Sequence, residues 1–182
     1  HGRRGCDTLA RRTLGKGRAS SVFPAPRRPM LDFSTYQDAN AWGKAQGKEA
    51  GGGLSKQAWN ILPKIRELDA CITPESQTRI REAHPEVAFL RLNKGQAVTA
   101  PKRKPEGRIA RSALLASHGI QQLNEVWSQI VSEYGATAVH LDDYYDACAL
   151  ALTAKSISLG QQVLHLTEGL KDSRGLKMEI WG

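Results

Sequence analysis

Residues 143–159, DYYDACALALTAKSISL, constrain the fold more than any other stretch of the chain. From Tyr144 to Ala154 every side chain except Asp146 is small or apolar, on all sides of the predicted helix. A helix without a polar face is a buried one and needs cover on at least two sides. Predicted amphipathic helices at 54–70 (Leu54, Ala58, Ile61, Leu62, Ile65, Leu68) and 121–134 (Leu123, Val126, Trp127, Ile130, Val131, Tyr134) supply one side. The predicted strands, 78–83 and 176–181, are too short for a full second layer. The expectation is a helix-rich chain with a small sheet and uncovered apolar surface, hence marginal stability and homo-oligomer formation.

The rest of the chain punctuates clearly. Residues 6–14 read as a short helix stopped by Gly15, and 15–29 as a Gly-, Ser-, Pro- and Arg-rich loop. A helix starts at Ser34 or Thr35, and Pro63 predicts a kink or break within 54–70. Thr73-Pro74-Glu75 resembles a one-turn helix start, Pro85 opens a short helix through Leu92, and residues 106–117 read as helix. With 40% hydrophobic residues the chain is too apolar for disorder, and no apolar run approaches the roughly 20 residues of a membrane span. No secretory signal is seen. Cys6, Cys71 and Cys148 lack zinc or disulfide spacing, so the expected compartment is a reducing cytoplasm.

The net charge of +8 is concentrated. Residues 1–30 carry eight Arg and Lys against one Asp, a net of +7, and the remainder is nearly neutral. That basic arm and loop favour an anionic partner, nucleic acid above all. Arg18 with Ser20 and Ser21 is a candidate phosphate-contacting loop, although no P-loop spacing is present. The cluster PKRKPEGR adds Lys102 and Arg103 as further contacts.

Asp143 and Asp146 stand three apart, so both carboxylates share one side of the helix's first turn. An N-cap and the helix dipole account for Asp142 or Asp143. They account poorly for Asp146, because an ionised carboxylate in an apolar helix needs a cation, a donor or an open cleft. A functional pair and a structural ion pair both remain open on spacing alone. In Glu82-Ala83-His84-Pro85-Glu86, acids at a strand end could face a cleft or form a salt bridge.

Several motifs occur in a common order: CDxxARxxLG (Cys6 to Gly15), SSVFPAP (Ser20 to Pro26), GLSKQAWNILPKIRELD (Gly53 to Asp69), EAHPE (Glu82 to Glu86), PEGRxAR (Pro105 to Arg111), DDYYDACALA (Asp142 to Ala151) and RGLKMEIW (Arg174 to Trp181). Together they resemble the uncharacterised prokaryotic family of predicted RNase H-fold nucleases, related to RuvC-type resolvases. The resemblance implies an α/β, RNase H-like domain over residues 1–182, helix-rich with a small, incomplete sheet. It implies truncation at the amino end, because the family's Asp-bearing first strands have no counterpart before Cys6. It also implies two divalent cations, Mg or Mn, held by carboxylates from separate elements. The DxxDA start of the late helix maps onto Asp143 and Asp146, and Glu82 is the acid expected from the preceding strand, with Glu86 as its competitor.

The leading expectation is therefore a metal-dependent nuclease using Glu82, Asp143 and Asp146 as metal ligands and catalytic residues, inactive if the missing strands are needed. The alternatives are a non-catalytic nucleic-acid or nucleotide-binding module and a cytoplasmic protein-interaction domain.

Overall fold

The computed structural model describes residues 4–48 and 51–182. It is a helix-rich α/β chain with eight helices and one two-stranded antiparallel sheet among those residues. The helices are α1 (Gly5–Arg18), α2 (Tyr36–Ala45), α3 (Lys56–Asn60), α4 (Leu62–Cys71), α5 (Pro85–Leu92), α6 (Pro105–Ser117), α7 (Leu123–Tyr134) and α8 (Leu141–Ser158), and the strands are β1 (His165–Lys171) and β2 (Lys177–Trp181). No helix among the described residues is long and apolar enough to cross a membrane.

The chain divides into two compact units, with boundaries inside α1 and inside both strands. The first holds the segment up to Arg11, Ser20–Arg81 and Leu166–Glu179. Thr35 caps α2 by accepting from the Asp38 N–H, as its residue type predicts. The run 54–70 breaks at Ile61, two residues before Pro63, into α3 and α4. Met30, Ala39, Leu54 and Ala58 form this unit's core, with Phe33, Trp42 and Trp59 packed against it.

The second unit holds Arg12–Ala19, Glu82–His165 and Ile180–Gly182. Gly15 kinks α1 instead of stopping it, at φ 68° where a Cβ would be strained. Here α5 packs against both α6 and α8. Ala88, Phe89, Leu92, Val98, Leu115, Leu123, Tyr145 and Ala149 make one buried cluster. Trp127 of α7 stacks on Tyr144 of α8, with ring centroids 5.7 Å apart.

Three expectations change. The strand expected at 78–83 does not form, because a 3-10 turn at Ser76–Thr78 takes its first residues and leaves Ile80 exposed. Only Ala83 makes a β-bridge, parallel to Trp181. The sheet instead comes from β1, a strand that Gly169 and a polar composition hide from periodicity, paired with the expected terminal strand. Nor is α8 covered all round. It buries one stripe, Asp142, Tyr145, Ala149, Thr153 and Ser156, and leaves Ala147, Ala151 and Ala154 exposed.

Candidate functional site

The site is built in the second unit from α5, α6, α8, the end of α1 and the loop before α6. Pro101–Lys104 lies close over the first turn of α6. A Cβ on Gly107 would stand 2.1 Å from the Pro101 carbonyl oxygen, so only glycine lets the two backbones approach this way. Arg111, one turn further along, donates from Nη1 to the carbonyls of Ala100 and Gly107 at 3.1 and 3.2 Å. These two contacts fix the loop that carries Lys102.

The Lys102 ammonium lies 2.7 Å from Asp146 Oδ2, 3.3 Å from Asp142 Oδ2 and 3.7 Å from Asp143 Oδ1. Arg103 Nε stands 3.6 Å from Asp142 Oδ2, with its side chain 79% exposed. Three carboxylates on the first turns of α8 therefore converge on one cationic head. Asp142 and Asp146 are sheltered and Asp143 is open to water.

The other half of the site rests on α5. His84 caps that helix through Nδ1, accepting from the Glu86 N–H at 3.2 Å, and Pro85 occupies the first helical position. Glu86 is buried. It accepts from Arg111 Nη2 at 2.7 Å on Oε1 and 3.0 Å on Oε2, and from Arg18 on Oε1. The Arg111 guanidinium also lies 5.2 Å from the centroid of the Phe89 ring. Four cations (Arg18, Lys102, Arg103, Arg111) thus face four carboxylates (Glu86, Asp142, Asp143, Asp146).

Burial pushes the Asp146 carboxyl above its ordinary range, Lys102 opposes the shift, and the Glu86 charge adds to it. Burial acts the same way on Asp142, but the hydrogen bond and charge of Lys102 outweigh it and hold that carboxyl low. For Lys102 burial is again the largest influence and lowers its pKa, yet the hydrogen bonds and charges of Asp146 and Asp142 raise it overall. The balance leaves loose ends. Asp146 Oδ1, Asp142 Oδ2 and the Nε atoms of Arg18 and Arg111 are buried without hydrogen-bond partners.

The residues expected from sequence fare differently. Asp143 and Asp146 share Lys102, whereas Glu82 is exposed in the segment before α5, where its carbonyl accepts from Trp181 N–H. No three His, Cys, Asp or Glu side chains among the described residues are grouped to hold a metal ion, so the expected trio of Glu82, Asp143 and Asp146 is not assembled. Glu86 is the acid whose charge reaches Asp146. Arg18 is committed to Glu86, and Ser20 and Ser21 lie in a 3-10 turn assigned to the first unit. Of the basic candidates, Arg103 points to solvent and Lys102 points inward. Sequence reasoning missed Arg111, although an arginine four residues before Leu115 on the apolar stripe of α6 was a readable sign of a buried cation.

The donor chemistry fits one Mg or Mn ion. Magnesium is commonly held by one or two carboxylates and completed by waters and substrate phosphate oxygens. Asp146, with an oxygen that no donor satisfies, and its neighbours Asp142 and Asp143 offer such hard oxygens. They do not form a closed cage for two ions.

No curated protein and no solved structure matches the chain. Residues 1–168, from α1 through α8 and into β1, match one family, described as "Protein of unknown function (DUF429)". The chain belongs to that family.

Proposed function

We propose that this chain is a metal-dependent nuclease of RNase H-like fold that hydrolyses phosphodiesters at the first turns of α8. The observation that carries the reading is Asp146, a sheltered carboxylate with one buried oxygen that has no donor. A second buried carboxylate, Glu86, acts on it from a different element. Such an arrangement costs stability, which is the mark of a group kept for its chemistry. Asp146, with Asp142 or Asp143, would hold the ion, which when bound activates water and stabilises the leaving oxygen. Arg18 and Arg111 fix the Glu86 carboxylate, and exposed Arg103 and Lys104 meet the phosphates of the substrate.

The test is cleavage of single- and double-stranded DNA and RNA by the full chain, with Mg or Mn and with chelator. Metal-dependent cleavage that Asp146→Asn abolishes is the expected result, and cleavage indifferent to chelator or to that substitution overturns the reading. The position of Lys102 among the carboxylates favours a second reading, a non-catalytic nucleic-acid-binding module. It predicts salt-dependent binding with no cleavage under any metal.

A further inference from the structure

We infer that Lys102 is a tethered, exchangeable counter-cation: its ammonium holds the carboxylates of Asp142, Asp143 and Asp146 together, and a divalent ion binds there only by displacing it. The inference rests on the nuclease reading and adds the residue that controls ion entry. Three carboxylates on adjoining turns of one helix repel one another unless a cation stands among them. In this structure that cation comes from the protein, at 2.7, 3.3 and 3.7 Å.

Two features make it exchangeable. The carboxylates all sit on α8 and the cation on a different element, so the head can leave without disturbing the helix. The loop keeps its place without Lys102, because Arg111 and the close approach at Gly107 anchor it. Lys102 is also the most open of the buried participants, with its side chain 32% exposed against 6% for Asp142 and 16% for Asp146. Its flexible four-carbon stem needs only rotations to reach water. A released Lys102 joins Arg103 on the solvent side, where a phosphate would meet both.

The experiment compares the full chain with Lys102→Met, titrating each with manganese chloride by calorimetry. Met keeps the length of the stem and removes the competing charge, so binding should tighten by about tenfold or more. The variant should also melt lower than the parent in chelator and recover with manganese. If the parent binds manganese and Lys102→Met binds it no tighter, Lys102 is not in the way, and the nuclease reading stands without it. If neither binds, both readings fall. A measurement on the unaltered chain covers the case in which the variant does not fold. Amine-reactive labelling followed by peptide mass analysis should show Lys102 labelled more heavily with manganese than in chelator. Unchanged labelling of Lys102 at saturating manganese overturns the inference.

Discussion

Each of the two units contains an ion cluster, and the two are built to different ends. In the first unit Arg28 pairs with Asp69 and Asp172, and Arg174 reaches Asp69 Oδ2 at 3.1 Å. Asp172 Oδ1 accepts the N–H groups of Arg174 and Leu176 at 2.8 and 2.9 Å, which closes the turn between the strands. All four carboxylate oxygens there have donors, and the side chains keep 22–40% of their exposure. In the second unit Arg111 is 1% exposed and Glu86 7%, yet four polar atoms of the cluster lack partners. Satisfied, half-exposed charges stabilise a turn cheaply. Buried, under-satisfied charges destabilise unless something else completes them, so they mark the working end of the molecule.

The largest effect expected from this contrast is on stability. Arg111→Met removes the buried cation beside Glu86 and should cost roughly 3–5 kcal/mol, whereas Arg28→Met should cost about 1 kcal/mol or less. Urea denaturation of both variants measures the difference, and equal costs would erase the distinction between the clusters.

Asp146→Asn sharpens it from the opposite side. Burial already disfavours the Asp146 charge, and Asn preserves shape and an acceptor for Lys102. Without metal its stability should stay within about 1 kcal/mol of the parent, and any manganese-induced rise in Tm should vanish. Outright unfolding without metal would make Asp146 a structural residue like Asp172.

Nucleic-acid binding separates the clusters more gently. Arg103→Ala with Lys104→Ala should flatten the slope of log affinity against log salt by up to roughly 0.9 per lost contact on duplex DNA. Arg174→Ala should leave that slope unchanged. A slope indifferent to the first pair would show that the loop before α6 is merely solvated.

The smallest effect is the acid sensitivity of the first cluster. Burial alone would raise the Asp172 carboxyl, but the N–H groups of Leu176 and Arg174 and the Arg28 guanidinium outweigh it and hold it low. The folded state therefore favours ionised Asp172. Its stabilisation is complete above the ordinary value of 3.8 and is lost as pH falls through the lower folded value. Asp172→Asn should be less stable than the parent at neutral pH, by about 1 kcal/mol, and the gap should close in acid. A gap that persists below the transition would assign it to the turn's geometry.

Local features were written in the sequence. Helices α2, α5, α6, α7 and α8 were legible from cap residues, prolines and 3.6-residue periodicity, because those signals act between near neighbours. Pro63 announced the break between α3 and α4, and the DxxD spacing placed Asp143 and Asp146 on one side of α8. What tertiary structure decided is which charges meet. Strand β1 needs a partner before its polar residues hydrogen-bond as a sheet, and the strand expected at 78–83 lost its first residues to a turn. Lys102 is 44 residues from Asp146, and Arg111 is 25 from Glu86. No periodicity links positions so far apart. Glu82 and Glu86 are indistinguishable as nearby acids in a string, and only the fold buried Glu86 beside Arg111 and left Glu82 in water. The chain's local physics chose the elements, and the cost of burying charge chose the pairs.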